Sequence, residues 1–265
     1  MKEILLGKKI EGKRRRDAGI LYPVKRPEPR VMMHGFDIWR AYEISWLNPK
    51  GCPVAGIMEL TYPIKSANIV ESKSLKLYLN GMAFERFDSK DEFITTIESD
   101  LQPVLVSPWI EVRIYEGDDL EAILPAKIDG ICIDGLDTGI SIYKPDPGLL
   151  KTSNERASER LVSNLLHTNC PITSQPDWAT VVVDYTGPEI SHHSLLAYIC
   201  SFRDHEDFAE ACCEKIFADI SVACAPERLV VQCLYTRRGG IDINPLRSSN
   251  DIRPEDVKPV RHIRQ

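Results

Sequence analysis

The densest run of chemistry-bearing residues is Asn169-Cys170-Pro171-Ile172-Thr173-Ser174-Gln175-Pro176-Asp177-Trp178. A thiol beside a Pro/Ser/Gln loop is accessible enough to act as a nucleophile, and the carboxylic acid that follows at Asp177 can curl back to exchange a proton with its adduct. The same spacing also suits a small packed cysteine beside a turn, so two readings of Cys170 stand on spacing alone. The other cysteines are blander: Cys212, Cys213 and Cys224 fall in an expected C-terminal helix, and Cys200 and Cys233 in apolar strands.

Other chemistries lack their patterns. GxGxxG, GxxxxGK[ST] and HExxH are all missing, so any nucleotide must be held by another architecture. The six histidines are dispersed apart from His192-His193. Adjacent side chains on a helix or strand diverge, so no protein-bound metal is expected. Eight cysteines without CxxC or Cys/His spacing, and no secretory leader pattern, point to a reducing cytoplasm with mostly unbridged thiols. The net charge of -6 agrees with a protein that need not have nucleic acid as a partner. No apolar run approaches the roughly 20 residues that span a bilayer, so no membrane is expected either. One basic cluster, Lys8, Lys9, Lys13, Arg14, Arg15 and Arg16, reads as a solvated or surface-packed segment, with phosphate contact as its alternative.

The elements that must position these groups are legible from patterning. With 265 residues, 43% of them hydrophobic, the chain holds one large domain or two small ones. The Pro- and Arg-rich stretch over 22–30 cannot hold a helix and reads as an extended arm, with ordered structure from about His34. Residues 36–46 and 55–62 read as a hairpin around the turn Asn48-Pro49-Lys50-Gly51. A helix over 89–101 and a strand over 109–115 follow. The second half gives a strand over 179–185, an apolar run over 194–199, a helix over 208–224 and a strand over 229–235. Ser74-Leu75 recurs as Ser194-Leu195, Tyr78 as Tyr198 and Tyr115 as Tyr235, each about 120 residues later. Two copies of one strand–strand–helix–strand module are the simplest account, with shared α+β patterns arising by chance as the other. The Gly- and Pro-punctuated connector over 116–154 reads as loops, followed by a helix from Ser153 or Asn154 to Leu166. The division expected is an arm over 1–33, a first module over 34–140 and a second, carrying Cys170, over 141–265.

Cys170-Pro171-Ile172-Thr173-Ser174-Gln175-Pro176-Asp177-Trp178 resembles the nucleophile loop of the NADPH-dependent 7-cyano-7-deazaguanine reductases, the QueF family of queuosine biosynthesis. Glu71-Ser72-Lys73-Ser74-Leu75-Lys76-Leu77-Tyr78-Leu79-Asn80 resembles the signature that separates this family from the related GTP cyclohydrolases. His34-Gly35-Phe36-Asp37-Ile38-Trp39, Glu43-Ile44-Ser45-Trp46-Leu47-Asn48 and Tyr235-Thr236-Arg237-Arg238-Gly239-Gly240-Ile241-Asp242-Ile243-Asn244-Pro245 agree with it. Signature and nucleophile loop lie in different halves, as in the longer, two-module members.

The resemblance implies an α+β tunnelling fold (T-fold): two tandem modules of antiparallel sheet with helices layered on one face, assembled as a cytoplasmic homodimer. It implies that Cys170 adds to the nitrile of 7-cyano-7-deazaguanine to give a thioimide, with Asp177 supplying protons. Two hydrides from NADPH then give the primary amine, with no metal required. Implied substrate positions are Val70, Glu71, Ser72, Phe208, Ala209 and Glu210, where the carboxylates would accept the base's N–H donors and Phe208 would stack on its face. Implied cofactor positions are Ser72, Lys73, Arg238 and Gly239, although Lys73 and Arg238 read alone are solvated charges.

One departure stands out. The family pattern Phe-His-Glu is Phe208-Ala209-Glu210 here, and alanine carries no proton and donates no hydrogen bond. A natural variant with a substitute group, an engineered His-to-Ala change and a paralogue that lost the reaction all fit, the engineered change best, since every other motif is in place. His205, one turn earlier, is not expected to take over the role. The alternatives to a reductase are a non-catalytic deazapurine-binding protein and a pterin-type cyclohydrolase. The latter would want zinc ligands that are not patterned here.

Overall fold

Long antiparallel hairpins frame each of two units in the computed structural model, which describes residues 15–257 and 261–265. The first unit takes 15–27, 37–124 and 237–242, and the second takes Glu28–Phe36, Pro125–Thr236 and Ile243–Gln265.

The first unit is built from β1 (Pro23–Lys25), β2 (His34–Leu47, from Asp37 on), β3 (Pro53–Pro63), β4 (Asn68–Val70), α1 (Ser72–Met82), α2 (Lys90–Leu105) and β5 (Glu111–Tyr115). Its sheet runs β5-β3-β2, and β1 pairs separately with β4, antiparallel. The turn between β2 and β3 forms because the Asn48 side chain accepts the N–H groups of Lys50 and Cys52, both at 3.0 Å. Met58 lies opposite Ile114 and Leu60 opposite Val112, which turns one sheet face apolar. Phe93, Ile97 and Leu101 form the buried stripe of α2, where Phe93 stacks on Trp46 with ring centroids 4.4 Å apart.

The second unit contains β6 (Ile131–Cys132), β7 (Thr152–Asn169), β8 (Pro176–Ile190), α3 (His192–Cys200), α4 (Ala209–Cys224), β9 (Arg228–Tyr235) and most of β10 (Ile241–Ser248). The strand order is β10-β9-β8-β7-β6, with α4 packed on β9 and α3 on β7. Apart from the short parallel pair of β6 with β7, the strands are antiparallel with helices packed on them, the α+β arrangement expected.

Several expectations change. The helix expected over 153–166 is instead strand β7. An extra residue between Ser163 and Leu166 bulges β7 against β8 and breaks the strict alternation that marks a strand. The segments at 72–82 and 192–200 are helices, so each module reads strand–strand–helix–helix–strand, and Cys200 ends α3 rather than lying in a strand. Order begins before His34, because Pro23–Lys25 already pairs with Asn68–Val70. A packing role, the reading that suits any cysteine other than Cys170, does not hold for Cys52 and Cys132, which are exposed. Of the basic cluster, Arg15 and Arg16 are described, and Lys8, Lys9, Lys13 and Arg14 lie outside the described residues.

The duplication extends beyond the residues that suggest it. In the first unit the Ser74 hydroxyl donates to the Glu71 carbonyl (2.6 Å) and the Tyr78 hydroxyl to Asp100 (2.7 Å). In the second, Ser194 donates to the Ser191 carbonyl (2.8 Å) and Tyr198 to Asp219 (2.8 Å). Helices α2 and α4 both stop at a left-handed residue, Val106 and Ala225.

Candidate active site

Cys170 sits at the mouth of the β7–β8 hairpin. Its N–H donates to the Gln175 carbonyl (2.9 Å), and its carbonyl accepts the Ser174 N–H (2.9 Å). Ser174 closes this turn at φ +50, a left-handed conformation that costs a non-glycine residue energy. Asn169 faces Pro176 and Thr168 faces Asp177 in the ladder. Side chains alternate along a strand, so Cys170 and Asp177 project from the same hairpin face as diagonal neighbours, with Cα atoms about 7–8 Å apart in such a pairing. Cys170 is 3% exposed, so the accessible thiol expected of this loop is buried instead, under the turn that its own backbone closes, and Asp177 is half-buried.

The start of α4 is tied to this mouth. The Asn169 N–H donates to the His205 carbonyl (2.8 Å) and its carbonyl accepts the Asp207 N–H (3.1 Å), directly before Phe208 caps the helix. His167 Nδ1 lies 3.0 Å from the Arg203 carbonyl, and the Trp178 ring meets His167 edge-on. Glu210 is buried in the first turn of α4, Phe208 and Ala209 are half-buried, and Cys212 on the next turn lies against Thr168 and Tyr235. Burial pushes the thiols of Cys200, Cys212 and Cys233 up and holds Cys224 at about 11, so these four stay protonated near neutrality.

In the first unit, Glu71 caps α1 and is 1% exposed. Its two carboxylate oxygens accept the N–H groups of Lys73 (2.9 Å) and Ser74 (2.8 Å), one each. Each oxygen keeps lone-pair capacity for a further donor. Val70, at the end of β4, is buried against the same entry, and Ser72 opens the helix. One turn along, Lys76 donates to the Gly239 carbonyl (2.6 Å) and pairs with Glu43 (3.0 Å). That fixes the turn Arg238-Gly239-Gly240 beside the helix that carries Ser72 and Lys73. Gly240 has φ +79, a backbone conformation that favours glycine, and a Cβ there would come within 2.6 Å of the Glu43 side chain and push it off Lys76. Arg237 stacks over Tyr42 at 4.3 Å. The N–H groups at the start of α1 are taken by Glu71, so the cations Lys73, Lys76 and Arg238 beside the glycine turn are what this entry offers to a phosphate-bearing cofactor.

The model for the nitrile reductase family, 7-cyano-7-deazaguanine-reductase N-terminal part, matches residues 16–114, and that for QueF-like protein matches 176–254. The NADPH-dependent 7-cyano-7-deazaguanine reductase of Burkholderia ambifaria (strain MC40-6) is 43% identical over 256 residues, covering 92% of this chain and 93% of the relative. The chain belongs to the 7-cyano-7-deazaguanine reductase family. The reductase of Desulfotalea psychrophila is 44% identical over 257 residues, covering 93% of each chain. That of Coxiella burnetii (strain Dugway 5J108-111) is 47% identical over 228 residues, covering 86% of this chain and 80% of the relative. The crystal structure of the archaeosine synthase QueF-Like in the apo form aligns with a TM-score of 0.33 at 16% identity, over 38% of this chain and 99% of that one.

Within this family member the expected positions fall into two sets, one in each unit. The second unit gathers Cys170, Asp177, Phe208, Ala209 and Glu210. The first gathers Val70, Glu71, Ser72, Lys73, Arg238 and Gly239. Among the described residues no His, Cys, Asp and Glu side chains cluster as a metal site, and no helix is long and apolar enough to cross a membrane. Sequence reasoning missed Asn169 as the brace of the nucleophile turn and Lys76 as the support of the glycine turn. A helical reading of 72–82 would have placed Lys76 one turn from Lys73 and signalled the second of these.

Proposed function

We propose that this chain reduces the nitrile of 7-cyano-7-deazaguanine to the primary amine of 7-aminomethyl-7-deazaguanine at the expense of two NADPH, a step toward the modified tRNA base queuosine. The observation that carries the proposal is the hairpin register that puts Cys170 and Asp177 on one face, beside the helix start that bears Glu210.

In this reading the Cys170 thiolate attacks the nitrile carbon, an S–C bond forms, and the nitrogen takes a proton from Asp177 to complete a thioimide. NADPH, when bound, supplies two hydrides in succession. Cys170 leaves as thiolate between them, and the imine nitrogen is protonated as it becomes an amine. Glu71 and Glu210 accept hydrogen bonds from the base's N–H groups, Phe208 stacks on its face, and Val70, Ser72 and Ala209 complete the wall. Ser72, Lys73, Arg238 and Gly239 hold the cofactor. No step calls for a metal, and the protein works as a cytoplasmic homodimer. The free base is the substrate, so nucleic acid is not a partner, in keeping with the net charge of -6.

Incubating the protein with the nitrile alone and recording its intact mass tests this. Expected is a mass increase equal to one substrate molecule, abolished in Cys170→Ala. Reversible binding with no adduct would instead favour a deazapurine-binding protein.

A further inference from the structure

The short segment before the first hairpin reaches the entry of α1 and holds it from both sides. The Glu71 N–H donates to the Tyr22 carbonyl (2.9 Å), and the Tyr22 N–H donates to the Ser74 hydroxyl (3.1 Å). That hydroxyl in turn donates to the Glu71 carbonyl (2.6 Å). The Glu71 backbone is thus held through both its N–H and its C=O, while its carboxylate is held by Lys73 and Ser74. Strand pairing continues the contact, with Pro23 opposite Val70, Val24 opposite Ile69 and Lys25 opposite Asn68.

Three features hold the segment down. Leu21 is fully buried. Arg16 forms a two-pronged pair with Asp100, Nε to Oδ2 at 2.7 Å and Nη2 to Oδ1 at 2.6 Å, the geometry in which a guanidinium binds a carboxylate most specifically. The Tyr78 hydroxyl donates to the same carboxylate. Burial alone would raise the Asp100 carboxyl, but the hydrogen bonds from Arg16 and Tyr78 outweigh it and hold the group below its usual range. At the chain's close approach to α1, a Cβ on Gly81 would come within 2.5 Å of the Arg15 carbonyl, so this helix turn accepts the segment only with glycine there.

The second unit shows what the device is for. There Lys151 stands where Tyr22 does: its N–H donates to the Ser194 hydroxyl (3.1 Å) and its carbonyl accepts the Ser191 N–H (2.9 Å). Arg30 pairs with Asp219 (2.8 Å) as Arg16 does with Asp100. The architecture is the same, but the cap is Ser191, which has no carboxylate. The clamp is common to both copies of the module, and only the first applies it to a residue able to recognise the base.

We infer that Tyr22 and Ser74, anchored by Arg16, are positioning residues for substrate recognition: they fix the backbone of Glu71 so that its carboxylate meets the deazaguanine already oriented. The inference rests on the substrate role proposed for Glu71. It assigns the segment from Arg16 to Lys25 a part in binding the base, with Arg16 of the basic cluster packed on the surface. Preorganisation of this kind acts on ground-state affinity, leaving bond-making at Cys170 unchanged once the site is filled.

The test compares Arg16→Met, Ser74→Ala and, as matched control, Arg30→Met, which removes the sister anchor in the second unit. Adduct formation is titrated against nitrile concentration by intact mass, and amide hydrogen exchange is followed across residues 71–75. Expected in Arg16→Met and Ser74→Ala is a roughly tenfold rise in the half-saturating nitrile concentration, about the loss of one hydrogen bond of orientation. The saturating rate and the KM for NADPH should stay within about twofold, and the Glu71 amide should exchange at least tenfold faster. Arg30→Met should leave all of these unchanged. An unaltered half-saturation, or an equal shift in Arg30→Met, overturns the inference as mere loosening of the fold. If the parent protein forms no adduct, the functional reading fails instead, and exchange at Glu71 decides the clamp alone: unchanged protection in Arg16→Met rejects it.

Discussion

Asn169 and Asp207 are joined backbone to backbone, the Asp207 N–H donating to the Asn169 carbonyl at 3.1 Å, while the Asn169 N–H reaches back to His205. The residue before Cys170 and the residue before Phe208 are therefore held at fixed separation. Nucleophile turn and helix start move as one piece, so a substrate lying against the start of α4 meets a thiol whose position is already set.

Asp177 shares a hairpin face with Cys170, and in the proposed reaction its proton goes to nitrogen. Asp177→Asn keeps the size and hydrogen-bonding capacity but removes the acid. Turnover is expected to fall by about 10²–10⁴, the usual contribution of one general acid. The adduct should still accumulate with nitrile alone, more slowly. Steady-state NADPH oxidation alongside intact-mass kinetics checks this, and full activity in Asp177→Asn would assign the proton to another group.

Ser174 closes the nucleophile turn at φ +50. Left-handed backbone costs a residue with a Cβ about 1–2 kcal/mol, while glycine loses roughly 0.4–1 kcal/mol more chain entropy on folding. Ser174→Gly should therefore stabilise the protein by about 0.5–1 kcal/mol and raise Tm by about 1–4 °C, seen by thermal denaturation. A lower Tm would mean that the serine hydroxyl contributes more than the strain costs.

Ala209 occupies the first turn of α4 beside buried Glu210. The resemblance leads to the expectation of a histidine here, and alanine can neither donate a hydrogen bond nor move a proton. Ala209→His is expected to raise nitrile turnover at least tenfold, measured by NADPH absorbance. No gain would show that another group has taken over that role in this chain.

Legibility from sequence followed the range of the interactions. The hairpin over 36–62, helix α2 and the nucleophile loop are set by local patterns: alternation, a serine cap at Ser89, turn chemistry at Asn48. Strand β7 is hidden because Ser153, Asn154 and Glu155 imitate a helix start and the bulge between Ser163 and Leu166 interrupts the two-residue period, so only pairing with β8 reveals the strand. Helix α1 hides its start because a glutamate, Glu71, is the cap in place of the usual Ser, Thr, Asp or Asn. The contact of Tyr22 with Glu71 joins residues 49 positions apart and leaves no periodic trace.

The pH dependence of stability offers a last prediction. Burial holds the imidazole of His205 below its usual range, prevailing over the pull of Asp207, and burial with Arg264 nearby lowers His262 as well. For a histidine depressed in the folded state, the unfolded chain takes up a proton first as pH falls. Stability is therefore complete above the unfolded value near 6.5, declines as pH drops from there to the folded values, and levels off below them. Two such groups give a slope of at most about 2.7 kcal/mol per pH unit. The depressed carboxylates Asp100 and Glu227 act only below their own unfolded values, well under this window. Urea unfolding at pH 7.5, 6.5 and 5.5 should show the decline, and His205→Gln should remove about half of it. The His205 carbonyl also accepts the Asn169 N–H, so drawing water to a charged imidazole here would loosen the brace behind Cys170. Adduct formation should therefore slow over the same interval in the parent protein and less in His205→Gln, and equal pH profiles for the two would disconnect the brace from the nucleophile.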